Sequence, residues 1–292
     1  MESDRSALSR SHLNNHNFSK ITFLGVHRMA SYRLFEDEEH AKVYTKYRPP
    51  YPKALYDEIE NYCKGLSEND LDLAIDVGCG SGQSTLPLTK FCKHVIGIDI
   101  SNEQILQARK SATNIDFRVG SAEDLSSQGD GTVDLVTVGT AIHWLDRSIF
   151  MKEVERVLRP GGVLAVYTYG LDILHNKEAH GLVWEDLYKK TLQDCNPGPH
   201  IHIINGLSLI ELPFKDSIRL EPLLVEREVD VDFYIGFIRS WSPWQLFEKK
   251  NPKTDILTVL AQRLKALYKD SVSNDVHQIS LTSTTYALLG RK

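Results

Sequence analysis

An α/β fold built on a doubly wound, mostly parallel sheet with helices on both faces is predicted by three observations. Apolar strand-like runs alternate with helical stretches between residues 71 and 169. A glycine-rich turn, Asp76-Val77-Gly78-Cys79-Gly80-Ser81-Gly82, follows the first run. Acidic or small polar residues recur where successive runs end. Strands and helices alternating at this pitch imply a parallel sheet covered on both faces. Ligands of such sheets sit beyond the C-terminal strand ends. The ends at Asp76, Asp99, Ser121 to Glu123 and Gly139 to Trp144 all fall on that one edge.

The elements are read in chain order. Glu36 to Leu55 gives a short helix, a break at Pro49-Pro50 and the start of another helix, and Leu55 to Cys63 continues it amphipathically. Leu71 to Ile75 ramps into the first strand. After the glycine turn, Leu86 to Phe91 reads as the start of a helix. His94 to Ile98 is the second strand, ending at Asp99. Asn102 to Lys110 is helical, with Ser101 as its N-cap and Gln104 as the capping-box partner. Ile115 to Val119 and Val133 to Val138 are the third and fourth strands. Phe150 to Leu158 is a helix stopped by Arg159-Pro160-Gly161-Gly162, a turn by composition, and Val163 to Tyr169 is the fifth strand. Beyond Gly170 the repeat lapses. Glu178 to Leu192 is helical, Asn196-Pro197-Gly198-Pro199 breaks it, and Ile218 to Val229 has strand character. Phe233 to Trp241 and Ile256 to Tyr268 are helical, and His277 to Leu289 alternates like a closing strand. The result is a helical elaboration of roughly 70 residues, long by ordinary loop lengths and expected to hold substrate choice.

The chemistry begins at the glycines. A strand-to-helix turn needs positive φ and close backbone approach, which glycine supplies at least cost. The helix expected after it presents free N–H groups and a positive dipole end to an anion. A nucleotide-like cofactor suits that place. The spacing is Gly-x-Gly-x-Gly and no Gly-Lys-Ser/Thr follows, so a pyrophosphate binder is disfavoured. Asp99 lies 23 residues after Asp76, at the tip of the second strand. A carboxylate there is placed to accept both hydroxyls of a ribose.

Together these residues resemble the class I S-adenosylmethionine-dependent methyltransferases. The resemblance implies that the glycine turn approaches the methionine part of the cofactor and that Asp99 holds its ribose. Asp76 to Gly82, Ile98-Asp99, Ala122-Glu123, His143-Trp144 and Leu158 to Gly162 are similar to the methyltransferase type 11 group. Tyr47 to Pro52, Arg227-Glu228-Val229, Trp241-Ser242 and Tyr286 to Lys292 are similar to the yeast-type trans-aconitate methyltransferases. The likeness covers nearly everything after Met29. It implies a Rossmann-like, doubly wound, mostly parallel seven-stranded sheet with helices on both faces and a helical cap. It also implies a cofactor set of Tyr44, Asp76, Gly78, Cys79, Gly80, Gly82, Asp99, Ile100, Ser121, Ala122, Glu123, Gly139, Thr140 and Trp144. One position departs from the pattern. The third strand of such enzymes often ends in an aspartate that meets the adenine amine, and Ser121 stands there, which leaves Glu123 or a backbone carbonyl for that role.

Composition bounds the rest. A chain of 292 residues, 41% hydrophobic, suits one large domain or a core with an elaborated cap. A net charge of −5 argues against a nucleic-acid groove. No apolar run approaches the ~18 residues of a membrane span. Cys63, Cys79, Cys92 and Cys195 are scattered without a Cys-x-x-Cys, so neither a disulfide framework nor a metal site is expected, and a reducing, cytoplasmic setting fits. The first 28 residues are rich in Ser, Asn and His and read as a disordered extension, with Met29 as a second plausible start. Residues 29–292 then form a single methyltransferase domain. Residues 29–70 are lid helices, 71–169 the cofactor-binding core, and 170–292 the substrate cap with closing strands.

Methyl transfer from a sulfonium is an in-line displacement in which the protein supplies approach geometry and a dry pocket. A carboxylate acceptor, with a pKa near ~4, is already ionised and needs no base, whereas a phenol or amine is the kind of acceptor that a base would serve. His143 is read either as base or orienting donor, or as a structural histidine. Trp144 is read as packing on adenine or the cofactor wall. Thr140-Ala141-Ile142-His143 replaces the Asn/Asp-Pro-Pro-Tyr of amide and base methyltransferases and points to a small molecule. Tyr44, Tyr47 and Arg48 are lid candidates, Arg48 pairing with a carboxylate as a two-pronged donor. Arg239, Trp241 and Trp244 are substrate-pocket candidates, with helix packing as the competing reading. Glu36 to Glu39 reads as a solvated helix start. The leading expectation is methylation of a carboxylate oxygen on a small molecule. A lipid or phenol acceptor with His143 as base, and a non-catalytic cofactor-binding regulator, are the alternatives. Oligomeric state is not legible.

Overall fold

The computed structural model describes residues 37–64, 71–112, 114–195, 205–269 and 277–292. The extension expected over residues 1–28 and the Asn196 to Pro199 break lie outside the described residues. Strands β1 (Leu71–Val77), β2 (Cys92–Asp99), β3 (Asp116–Val119), β4 (Val133–Gly139) and β5 (Leu158–Tyr169) form a parallel sheet in the order β3-β2-β1-β4-β5. β1 and β4 are mostly apolar and, from Ala74 and Val133 onward, buried almost throughout, as suits central strands covered on both faces.

The sheet closes through β9 (Gln278–Arg291), antiparallel to β5. β6 (Ile173–Leu174) continues along the same edge of β9 as β5, while β7 (Asp216–Arg219) and β8 (Leu223–Asp230) follow one another along its other edge. Among the described residues, nine strands therefore fill seven positions, which agrees with the expected fold class.

Helices α1 (Glu38–Tyr47), α2 (Lys53–Lys64), α3 (Asn102–Ser111) and α4 (Arg147–Val157) surround the sheet. Leu55 and Ile59 of α2 and Ile105 of α3 pack on one face with Phe117 and Tyr167. Phe150 and Val154 of α4 pack on the other with Val77, Ile98 and Val136. Side-chain caps start three of these helices. The Asp37 carboxylate accepts from the His40 N–H at 2.8 Å, the Ser101 hydroxyl from the Gln104 N–H at 3.2 Å, and Asp146 from Ser148 and Ile149.

Two sequence expectations are corrected here. Leu86–Lys90 is a five-residue 3₁₀ segment with Pro87 in its first turn, not the start of an α-helix. β2 begins already at Cys92, and so short a piece tightens to i→i+3 bonding. The α-helix dipole expected directly after the glycine turn is therefore not supplied by this segment. The Arg159 to Gly162 turn is absorbed into the irregular start of β5, where the register to β4 shifts between Val133 and Leu135.

The cap comprises α5 (Lys177–His180, continued over Gly181–Thr191 with wider π-type turns), α6 (Val231–Arg239), α7 (Ser242–Lys250) and α8 (Ile256–Leu267). It has its own apolar cluster, with Trp184, Leu187, Tyr234, Ile238, Trp244, Leu260 and Leu264. α7 is the one described cap helix that sequence reading missed. Its signal is Pro243 just inside the start, where the missing N–H costs nothing. Trp244 is 1% exposed in this cluster, and Arg239 is exposed on α6. Among the described residues, no helix is long and apolar enough to cross a membrane.

These placements predict a split between the two expected pocket residues. Trp244→Ala should cost about 3–5 kcal/mol of stability through the cavity it leaves. Arg239→Ala should stay within about 0.5 kcal/mol of the parent. Urea unfolding followed by circular dichroism checks both. Equal effects would show that the cap does not pack as described.

Candidate active site

The glycine loop is held from beneath. Asp76 is fully buried, and its carboxylate accepts from the hydroxyls of Ser84 at 2.8 Å, Thr85 at 2.6 Å and Thr137 at 2.7 Å. Burial pushes this carboxyl up and the three hydroxyls hold it down. Asp76 thus faces the loop's own framework and does not open onto the cavity, where sequence reading had set it among the cofactor's contacts. Gly78 has φ 65°, and a Cβ on it would lie 2.5 Å from that of Ala141, so the loops after β1 and β4 touch. Gly80 has φ 53°, and its nearest side-chain neighbours are the Tyr44 ring at 3.6 Å and Gln104 Oε1 at 3.8 Å from an added Cβ. A side chain there would fill a small cradle between loop and ring. Gly82 instead abuts the Phe117 ring, 2.7 Å from where its Cβ would stand, and so serves packing. Cys79 is buried, its thiol is pushed up by burial, and its backbone N–H donates to the Ile98 carbonyl at 3.0 Å. It is a filler of the turn.

Asp99 stands at the tip of β2. Its Oδ2 accepts from the Gly80 N–H at 2.9 Å and its Oδ1 from the Ser101 N–H at 2.8 Å. The N–H that a full capping box would give to Gln104 is used here instead. Burial pushes the Asp99 carboxyl up, and these two N–H groups oppose the shift. Ile100, next in the chain, is 76% exposed. At the tip of β3, the Ser121 hydroxyl donates to Glu123 Oε2, while Glu123 Oε1 accepts from the Asp146 N–H at 2.8 Å. Both Glu123 oxygens, like those of Asp99, thus accept one hydrogen bond within the chain. Ala122 packs into the core cluster beneath.

The tip of β4 carries a strained residue. Thr140 has φ 49°, a left-handed conformation rare for a β-branched side chain. Its hydroxyl pairs with the Tyr51 hydroxyl at 2.5 Å and with that of Thr168 at 3.2 Å, and its N–H donates to the Tyr167 carbonyl at 2.8 Å. Tyr51 stacks on Tyr169 with ring centroids 4.2 Å apart, and the Tyr169 hydroxyl donates to the Pro49 carbonyl at 2.5 Å. The Pro49-Pro50-Tyr51 turn is thereby clamped to the ends of β4 and β5. Tyr51 and Tyr167 also cover Gly139.

Above this clamp lies a partly open cleft enclosing ≈ 690 Å³ of space, adjoining open solvent included. Tyr44, Arg48, Thr140, His143 and Trp144 line one wall. Trp184 and Tyr188 of α5, Phe237 of α6 and Trp241 line the other, with Tyr169 to Asp172 between them. The Arg48 guanidinium sits over the Tyr44 ring at 4.9 Å and the Phe237 ring at 5.5 Å, and its Nη2 donates to the Ser240 carbonyl at 3.1 Å. Its Nε is buried without a hydrogen-bond partner among the described residues. His143 is 4% exposed, its ring 4.8 Å from that of Trp144.

Of the expected catalytic and substrate residues, the structure brings Arg48, His143 and Trp241 to one cleft, together with Tyr44, Thr140 and Trp144 of the cofactor set. It does not bring Tyr47, Arg239 or Trp244. Tyr47 packs edge-on against Phe233, with centroids 5.4 Å apart, and closely over Gly236. Sequence reading missed Asp172, Trp184, Tyr188 and Phe237. The Trp184–Tyr188 pair at i,i+4 was a detectable aromatic stripe. Asp172 carried no local signal.

The cradle at Gly80, roofed by Tyr44 and flanked by the Asp99 carboxylate, fits a cofactor with a ribose and an extended polar arm. Residues 75–166 match the profile of the methyltransferase domain family. A Dictyostelium discoideum protein named as a methyltransferase is 32% identical over 252 residues, covering 86% of this chain and 93% of its own length. The Saccharomyces cerevisiae S-adenosylmethionine-dependent methyltransferase CRG1 is 34% identical over 77% of this chain and 86% of its own. A solved structure from Anaeromyxobacter dehalogenans, described as a type II methyltransferase, superposes with a TM-score of 0.68 at 29% identity, covering 84% of this chain and 97% of that one. The cofactor is S-adenosylmethionine, and the chain belongs to the class I S-adenosylmethionine-dependent methyltransferases.

Proposed function

We propose that this enzyme methylates a carboxylate oxygen of a small molecule held in the cleft between the sheet edge and the cap. The observation that carries this reading is Arg48. It is the one guanidinium on the described cleft wall, fixed by Ser240 and two rings and with its Nε unpartnered. A planar cation held in this way suits a carboxylate. When bound, the sulfonium of S-adenosylmethionine supplies an electrophilic methyl carbon. Gly78 and Gly80 would let the backbone approach its methionine arm, Asp99 would accept its ribose hydroxyls, and Ile100 would cover adenine. Thr140 and Trp144 would shape the boundary between cofactor and acceptor. Arg48 orients the acceptor, and the aromatic walls exclude water. An ionised carboxylate needs no proton removed, so His143 serves as an orienting or packing group. A phenol acceptor with His143 as base is the second reading, favoured by the position of His143 in the cleft wall. Residues 71–169 act as the cofactor core and 170–292 as the acceptor cap. Four free, buried cysteines support a reducing, cytoplasmic setting.

Asp99→Ala should weaken S-adenosylmethionine binding by roughly 1–3 kcal/mol, the cost of unpaired ribose hydroxyls. Calorimetry measures it, and an unchanged affinity would remove Asp99 from the cofactor site. The sign with pH follows. Burial raises the Asp99 carboxyl, and hydroxyl donors favour its ionised form. Affinity should therefore fall as pH drops through the raised pKa, and Asp99→Asn should abolish that slope.

Two substitutions separate the acceptor chemistries. With a carboxylate acceptor, His143→Gln keeps most of the rate, whereas Arg48→Lys, which loses the planar fork, raises the acceptor KM strongly. With a phenol or amine, His143→Gln should cost about 10²–10⁴ in rate. Steady-state kinetics on variants shown to be folded decides between them. A large His143 effect with a mild Arg48 effect would overturn the carboxylate reading.

A further inference from the structure

Asp172 is the acidic residue on the described cleft wall, and neither the cofactor nor the methyl transfer uses it. It follows β5, just after the strand has passed the strained tip of β4. The residue is 8% exposed and lines the cleft between the two walls. Its Oδ1 accepts from the Ser283 hydroxyl at 2.8 Å, and Ser283 in turn accepts from Arg227 Nη1 at 3.4 Å. Oδ2 takes no hydrogen bond among the described residues. A buried carboxylate with one oxygen left open to a cavity is a costly arrangement unless a ligand meets it or the charge itself is useful.

The surroundings say which. Burial pushes the Asp172 carboxyl up, while Ser283, Arg227 and Arg48 hold it down. Both guanidiniums favour its ionised form, so Asp172 presents a negative charge to the cleft that Arg48 also lines. A second carboxylate on the same acceptor would meet Asp172 with no cation left to pair it. Much of the remaining described lining is aromatic. Trp184 and Trp241 stack at 5.3 Å and 17°, and Tyr188 meets both edge-on. Trp184 Nε1 donates to the Asp172 backbone carbonyl at 2.8 Å, so the aromatic wall and the acid are fixed as one unit.

We infer that Asp172 is a specificity-determining residue that restricts the acceptor to monocarboxylic acids with an apolar or aromatic body and rejects di- and tricarboxylic acids. The inference rests on the carboxylate reading above. Arg48 takes the acceptor's carboxylate, the Trp184–Trp241 wall takes its body, and Asp172 repels any second acidic group.

The test compares kcat/KM of the full chain for matched acids of one skeleton, cinnamate against 4-carboxycinnamate and octanoate against octanedioate, with trans-aconitate as a tricarboxylate. Formation of S-adenosylhomocysteine is the readout. The parent should favour each monoacid at least tenfold over its diacid, and Asp172→Asn, nearly isosteric, should shrink that ratio at least tenfold. Calorimetry on the parent with S-adenosylhomocysteine present should show the same preference in acceptor Kd, which keeps the test independent of how the variant folds. A parent that turns over trans-aconitate or the diacids as well as the monoacids would overturn the inference while leaving the carboxylate reading intact. So would a ratio unchanged in Asp172→Asn. Turnover of phenols or amines with no carboxylic acid accepted would overturn both.

Discussion

The Asp76 carboxylate and its three hydroxyl donors are the interaction on which the rest of the site depends. A fully buried charge is tolerable only when its oxygens are satisfied. Here the donors come from two places, Ser84 and Thr85 beyond the glycine loop and Thr137 in β4. The carboxylate therefore ties the loop back onto the neighbouring strand. The contact between Gly78 and Ala141 follows from that tie, and so does the position of the Gly80 N–H, which reaches Asp99. One acid beneath the loop thus presents a second acid above it. The positive φ of both glycines is maintained within this framework.

A second constraint links the sheet edge to the cleft. Thr140 holds a left-handed backbone only because Tyr51, Thr168 and the Tyr167 carbonyl fix it from three sides. Tyr51 belongs to the N-terminal Pro-rich turn, and that turn is pinned in addition by Tyr169. The preceding helix α1 packs against α6 of the cap, with Tyr47 over Gly236. The segment that carries Tyr44 and Arg48 is therefore positioned from both sides, by strand tips below and by the cap above. The strain at Thr140 is stored where the two halves of the cleft meet, a common location for backbone outliers.

The parallel strands were legible because each is an apolar run with a marked end, and the glycine spacing with Asp99 pointed to the cofactor. The nine strands that fill seven positions among the described residues could not be read, because β6 has only two residues and the single strand expected over Ile218 to Val229 is two, β7 and β8. The Leu86–Lys90 segment was misread because its composition suits a helix while the distance to β2 does not allow one. In the site, Arg48, His143 and Trp241 were identifiable from local motifs. Tyr47, Arg239 and Trp244 were misplaced for one reason. An aromatic or basic residue on an amphipathic helix looks the same in sequence whether its face meets a cavity, a core or water. Asp172 was invisible because its significance comes wholly from Ser283, Arg227 and Arg48, which are distant in sequence.

The two kinds of legibility reflect two kinds of constraint. The cofactor half is built from backbone: N–H groups, positive φ and a carboxylate at a strand tip. Such requirements leave fixed spacings in the chain. The acceptor half is built from side chains on separate helices that share an apolar cluster of their own, distinct from the two clusters under the sheet. Aromatic residues in such a cluster can exchange positions, provided volume and polarity are kept, without disturbing Asp76, Gly80 or Asp99. Changes of acceptor therefore need not cost cofactor binding. The same separation explains why likeness at the strand tips establishes the reaction class while the acceptor must be argued from Arg48, Asp172 and the aromatic wall.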